Sequence, residues 1–378
     1  MVEWRVVARQ TTDSLAEFQR QLLDWFGAHR RDLPWRRTRN PYRVWISEIM
    51  LQQTRTAAVL PYYRRFLRAF PSVAALARAR GEAVLGGWAG LGYYSRARNL
   101  HRAAKIIVRD HSGRFPSTLD AALALPGVGN YTARAVLSIA YGSPLAVLDG
   151  NVARVIARRE AIEGDLRAPG QWKRLQAIAD RWLSGRAPGD WNQAMMELGA
   201  TVCTPRRPRC GACPVRKGCR AFRLGMAERL PERRKKLAPV RLRIAVAVLL
   251  DERGRTLLLR SEAPQASRVA DSPGDLATLF SRMWHFPAVA SAGDARAELS
   301  SHLAGEFGLD GGQWQPLAKL RHTVTFREIT IEPWLVLADS LPTAARGRVV
   351  ALDRVPRMAV SSASRKIAAA ALNSLRGK

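Results

Sequence analysis

The chain is 378 residues long with 47% hydrophobic residues, enough for two domains and ample core. Its 61 lysines and arginines against 31 aspartates and glutamates give a formal charge of +30, which a coding bias toward arginine does not explain and which points to a polyanionic partner, nucleic acid first. No apolar run approaches the ~18 residues that span a bilayer, and the opening Met1-Val2-Glu3-Trp4-Arg5 lacks the apolar core of a signal peptide, so a membrane protein is excluded and a reducing, cytoplasmic setting is expected.

Residues 13–225 read as almost entirely helical. The first segment, 13–29, repeats Leu15, Phe18, Leu22, Leu23 and Phe26 at helical spacing. Pro34, Pro41, Pro61, Pro71, Pro116 and Pro126 are expected near the starts or ends of later segments, where proline is tolerated. In residues 44–54, Glu48 has Val44, Trp45 and Leu51 among its helical neighbours. On such a face a carboxyl loses hydration and its pKa rises, which suits a general acid; the alternative is an edge glutamate that reaches solvent. In Leu125-Pro126-Gly127-Val128-Gly129-Asn130-Tyr131, two glycines flank one apolar residue between helical patterns. That is either a tight helix–helix turn or a turn whose N–H groups hold a phosphate oxygen. Asp149, before the helical run at 152–159, reads as an N-cap, a role that also keeps a carboxylate ionised and oriented. One neutral and one ionised carboxyl make a pair suited to breaking an N-glycosidic bond, by the carboxylate logic of glycoside hydrolysis.

The chain's four cysteines, Cys203, Cys210, Cys213 and Cys219, fall in one window as C-x6-C-x2-C-x5-C. A disulfide framework suits a small secreted domain, which this is not. Zinc usually pairs two short knuckles, and one exists here; a compact run with unequal gaps favours a 4Fe–4S cluster and leaves zinc as the alternative. Residues 226–242 hold two prolines around a basic run and read as a linker. Beyond it the texture changes: strands at 243–250, 256–260 and 329–338, a turn at Asp251-Glu252-Arg253-Gly254, a loop at 262–281, and helices at 295–307 and 362–375. Residues 243–378 thus form a mixed α+β domain after an all-α domain over 1–225.

Taken together, these motifs resemble the helix-hairpin-helix base-excision glycosylases, specifically the MutY-type adenine DNA glycosylases. The resemblance rests on Leu33-Pro34-Trp35-Arg36, on residues 45–54, 90–100, 125–133, 148–154 and 192–199, and on the cysteine quartet, in family order across nearly all of 13–225. Residues 243–378 are similar, more loosely, to the family's Nudix-like domain through Trp284-His285-Phe286-Pro287 and Leu320-Arg321-His322-Thr323. The run of glutamates that a Nudix hydrolase uses for metal is missing, so no pyrophosphatase activity is expected. Endonuclease III places a Schiff-base lysine two residues after the second hairpin glycine; here that residue is Tyr131, which implies a monofunctional glycosylase.

The resemblance implies that Glu48 protonates adenine, that Asp149 faces the cationic sugar and that Tyr131 assists. It implies that Arg36, Leu51 and Gln193 line the adenine pocket, that Gln53 and Tyr93 wedge into the base stack, and that Thr54 and Leu91 touch 8-oxoguanine. Gly127, Val128 and Gly129 would bind backbone phosphate, and the four cysteines one structural 4Fe–4S cluster that presents Arg206-Arg207-Pro208-Arg209 to DNA. Where the family carries Phe-Ser-His, this chain has Val324-Thr325-Phe326, with Thr325 keeping a hydroxyl. The expected partner is double-stranded DNA with adenine mispairs, bound by a monomer at the nucleoid. The alternatives are a thymine-mismatch or oxidised-pyrimidine glycosylase on the same fold, and a non-catalytic iron–sulfur DNA-binding protein.

Overall fold

The computed structural model describes residues 3–168, 170–232, 238–260, 283–324 and 327–376, with only the backbone path given for 3–14 and 324. The chain divides into two compact units, Met1–Arg78 with Asn99–Lys235, and Ala79–Arg98 with Lys236–Lys378. The division between the units falls inside the expected linker. Residues 79–98, which the sequence reading counts with the first domain, group with the second unit.

The first unit is helical. Its early elements are α1 (Glu3–His29), a short 3-10 turn (Pro34–Arg36), α2 (Pro41–Leu51), α3 (Thr56–Ala69) and α4 (Val73–Arg78). Then α5 (Gly81–Trp88) and the first residues of α6 (Tyr94–Asp110) lie in the stretch grouped with the second unit. The first unit resumes with the rest of α6, α7 (Leu119–Leu123), α8 (Asn130–Tyr141), α9 (Gly150–Glu160), α10 (Gln171–Trp182), α11 (Pro188–Thr201) and α12 (Arg220–Arg223). Trp45, Phe66, Leu22, Ile46, Met50 and Trp191 are fully buried, each removing apolar surface worth about 2–3 kcal/mol. Phe18 sets its ring edge-on to Trp182 and Trp191, which ties α1 to α10 and α11.

Helix starts follow ordinary chemistry. Asn40 caps α2 by accepting from the Arg43 N–H, with Pro41 in the first helical position, where its missing N–H costs nothing. Pro61 departs from expectation: it sits inside α3 rather than at an end. Its ring is exposed and so is Ala57, one turn earlier, whose carbonyl loses a helical partner on the solvent side where water substitutes.

The second unit is built on β1 (Val240–Leu250). This strand pairs in parallel with β7 (Arg327–Leu337) over its whole length, from Val240 opposite Arg327 to Leu250 opposite Leu337. The sheet runs β4 (Ala288–Ala290), β1, β7, β5 (Gln313–Pro316), and β6 (Leu320–Val324) also pairs with β7. A smaller sheet holds β3 (Trp284–His285), β2 (Arg255–Arg260) and β8 (Gly347–Ala351). From Ile244 to Leu250 both faces of β1 are buried, as the continuous apolar run there requires. Ile244, Val246 and Val248 pack with Ile367 and Ala371 of α14 (Ser362–Arg376), while Ala245, Ala247 and Leu249 pack with Leu299 and Leu303 of α13 (Ala295–Phe307). The fold class is as expected: a helical domain followed by a mixed α/β domain.

Candidate active site

Four elements of the first unit meet around a cavity of about 650 Å³: α2, the start of α8, the turn into α9, and α11. Helix α2 supplies Glu48. Apolar periodicity pointed to one buried face, but the helix is enclosed nearly all round, with Tyr42, Val44, Trp45, Ile46, Ser47, Ile49 and Met50 buried as well. Glu48 is 5% exposed, so it is no edge glutamate. Burial pushes its carboxyl up to about 7. The Tyr131 hydroxyl, which donates to Oε2 at 2.8 Å, and the charge of Arg36 both oppose that rise, while the charge of Asp149 adds to it.

Asp149 is the N-cap of α9. One carboxylate oxygen accepts from the backbone N–H groups of Asn151 (2.9 Å) and Val152 (2.7 Å), and the other from the Asn151 side-chain amide (2.9 Å). Burial raises this carboxyl too, and the donated hydrogen bonds, from Val152 first, work against the rise. These donors and the helix N-terminus favour the anion. Tyr131, in the first turn of α8, has a second acceptor in Met196 Sδ at 3.1 Å. Its phenol is held far above its usual range by burial and by both carboxylates, so it stays a neutral donor.

The far wall holds a group that the sequence reading did not single out. Glu197 on α11 is 1% exposed. Its carboxylate accepts from Arg31 (Nε 2.8 Å, Nη2 2.6 Å, backbone N 3.1 Å) and from Arg36 Nη2 (2.7 Å). Burial works to raise it, but the two guanidinium groups win and hold it down to about 2. The signal for it was present: a carboxyl between Met195-Met196 and Leu198-Gly199, the pattern already read at Glu48.

Of the residues singled out from the sequence, Arg36, Glu48, Leu51, Gln53, Thr54, Gly129, Tyr131, Asp149 and Gln193 all line this cavity. Gln53 is exposed with φ 55, a left-handed conformation unusual for a residue with a side chain, at the end of α2. Gln193 donates to its own helix at the Gly189 carbonyl (3.3 Å), and Thr54 to the Gln52 carbonyl (3.3 Å). Gly127 and Val128 lie outside the cavity in the turn before α8. Gly127 has φ 77, and a Cβ there would stand 2.7 Å from the Asn99 Cβ, so the turn admits only glycine. Val128 is buried, and Gly129 begins α8 without a side-chain cap, which leaves first-turn N–H groups for an anion. Leu91 is buried and Tyr93 is 42% exposed with φ 49; both belong to the second unit. Thr325 and the 262–281 loop lie outside the described residues.

The four cysteines are free thiols, and all four line one small cavity with Arg158, Val202, Pro208 and Phe222. No three metal-binding side chains among the described residues converge as a single ion requires. Four thiols around one common space form the donor set that a 4Fe–4S cluster takes. One buried and one partly buried cation suit an anionic cluster. Arg158 donates to Cys203 Sγ (3.2 Å), and its Nη2 is buried without a partner. Arg159 stacks on Phe18 at 3.7 Å and acts electrostatically on Cys219 and Cys213. Burial raises the Cys213 thiol to about 11, so a bound metal centre must supply the free energy of its ionisation.

Comparison with known proteins agrees with this geometry. Residues 46–180 match the family model of HhH-GPD superfamily base excision DNA repair proteins, and residues 203–219 match the iron–sulfur binding domain of endonuclease III. The chain is 47% identical over 213 residues to the adenine DNA glycosylase of Homo sapiens, covering 54% of this chain and 39% of that protein. It is 42% identical over 238 residues to that of Arabidopsis thaliana, covering 55% and 37%. The chain thus spans about two-fifths of the length of these relatives. Among solved structures, a thermostable thymine-DNA glycosylase superposes with a TM-score of 0.52 at 31% identity, covering 57% of this chain and 99% of that one.

Proposed function

We propose that this chain, which carries an HhH-GPD base excision repair domain and an endonuclease III-type iron–sulfur motif, is a monofunctional adenine DNA glycosylase. Its substrate would be adenine mispaired with 8-oxoguanine or guanine in duplex DNA. The observation that carries this reading is the enclosed pair: Glu48, buried with its carboxyl raised to about 7, and Asp149, bound by three donors, in one cavity.

The chemistry follows from that pair. With adenine flipped into the cavity, the Glu48 O–H gives its proton to N7 of the base. The C1′–N9 bond breaks, its electron pair goes to the neutral leaving adenine, and positive charge grows on the sugar opposite the Asp149 carboxylate. Water then adds to C1′ and gives its proton to the Glu48 carboxylate, which restores the acid. The Tyr131 hydroxyl donates to that carboxylate between steps. No lysine stands at 131 to form an imine with the sugar, so strand cleavage is not part of the cycle. Cys203, Cys210, Cys213 and Cys219 would hold one 4Fe–4S cluster that cross-links the 203–219 loop and takes no part in bond breaking.

Gln53 in its strained backbone, with Tyr93, would wedge into the stack, while Thr54, Leu91 and Thr325 would face the opposite base. The hairpin at Gly127, Val128 and Gly129 would hold backbone phosphate, and Arg36, Leu51 and Gln193 the flipped adenine. The protein would act as a monomer at the nucleoid, with domains 1–225 and 243–378 joined by 226–242. No described helix is long and apolar enough to cross a membrane.

A second reading, thymine release at a mismatch, is favoured by the superposition with a thymine-DNA glycosylase. A panel of duplexes separates them. The adenine reading expects free adenine from adenine opposite 8-oxoguanine, and loss of release in Glu48→Gln by at least a hundredfold. Thymine as the sole product would replace it.

A further inference from the structure

We propose that Glu197 is a positioning residue of this site: its buried carboxylate pins Arg31 and Arg36 to the cavity wall and offsets part of the Arg36 charge next to Glu48. The inference rests on the glycosylase reading above and adds to it a residue that touches neither base nor sugar.

The geometry is specific. Arg31 comes from the segment after α1, Arg36 from the 3-10 turn and Glu197 from α11, so one carboxylate joins three separate pieces of chain. Its acceptor capacity is filled by four donated hydrogen bonds of 2.6 to 3.1 Å. The Arg36 side chain is 10% exposed, and a second of its nitrogens, Nη1, donates to the Arg31 carbonyl at 3.1 Å. All three residues line the cavity that Glu48 and Asp149 share. A guanidinium this well buried, without a counter-charge, would draw Glu48 toward its ionised form and remove the proton it has to give. The charged and titratable groups that face Glu48 are Arg36 from the turn, Tyr131 from α8 and Asp149 from the α9 cap. Those that face Glu197 are Arg31 and Arg36. Arg36 is common to both sets, and Glu197 offsets part of its charge.

The test is the pH dependence of adenine release under single turnover, with holo-protein carrying its iron–sulfur absorption. In Glu197→Gln, which keeps the shape and loses the charge, the high-pH fall in rate should move down by about one pH unit. Release at pH 8 then drops about tenfold and recovers in acid; Glu197→Asp should keep the parent midpoint. Arg36→Met removes the cation and should move the midpoint the other way; if Glu197→Gln does not fold, the apolar Glu197→Met reads the same downward shift. A uniform loss at every pH, or two unmoved midpoints, overturns the inference. If the parent releases no adenine, the glycosylase reading fails instead.

Discussion

At the scale of single residues, the site is built by withholding water from one carboxyl. Glu48 stands at about 7 against an ordinary 4.5, so the folded chain binds that proton more tightly than the unfolded one. Native stability therefore declines as pH rises from about 4.5 through 7, and the deficit above that, of order 3 kcal/mol, is the cost of keeping an acid buried. Glu48→Gln should raise the thermal midpoint at pH 8 and leave it unchanged near pH 4; an equal shift at both would show that the carboxyl is not desolvated. Glu197 has the opposite sign: held near 2 by two arginines, it stabilises above about 4.5 and loses that contribution as pH falls toward 2. The first carboxyl was legible in sequence because Val44, Trp45 and Leu51 surround it at helical spacing. The second carried the same local signal of burial, but its ionised state was not legible, because its partners Arg31 and Arg36 lie more than 160 residues away and no local pattern pairs them.

At the scale of elements, Asp149 combines two roles that a substitution can separate. Asparagine caps a helix about as well as aspartate, so Asp149→Asn should hold stability within about 1 kcal/mol while adenine release falls steeply. Asp149→Ala should lose both, with about 1 kcal/mol or more from the missing cap. Stability and single-turnover rates on the two variants check this; retained release in the asparagine variant would assign Asp149 to capping alone. Strands β1, β2 and β7 and helices such as α13 over Ala295–Phe307 were legible from periodicity and turn residues, while the shorter strands β3, β4, β5, β6 and β8 were not read. Two further features were not legible. Pro61 sits within α3, tolerated because the backbone it disrupts faces solvent. The full enclosure of α2 follows from packing against α8 and α3, which one helix's own sequence does not encode.

At the scale of the molecule, a charge of +30 is distributed over a chain whose active cavity is itself lined by arginines. If duplex DNA is the partner, affinity should fall steeply with salt. Six or more neutralised phosphates give a slope of about −5 or steeper in log K against log salt. Titration of mispaired duplex at several salt concentrations reads that slope; a value near zero would mean that the charge reflects composition alone. The two-domain order was evident from the change of texture near residue 240. The grouping of residues 79–98 with the second unit was not, since Gly86 and Tyr94 meet Arg357 and Val360 only through tertiary packing.

The most direct measurement is the rate of adenine release, under single turnover, from a duplex holding adenine opposite 8-oxoguanine, followed from pH 5 to 9 in the parent and in Glu48→Gln. The account expects a parent rate that falls tenfold per pH unit above about 7, where Glu48 ionises, and a variant at least a hundredfold slower with no such fall. A parent rate that stays level through pH 9, or a variant that matches it, would contradict a buried, protonated Glu48 as the acid.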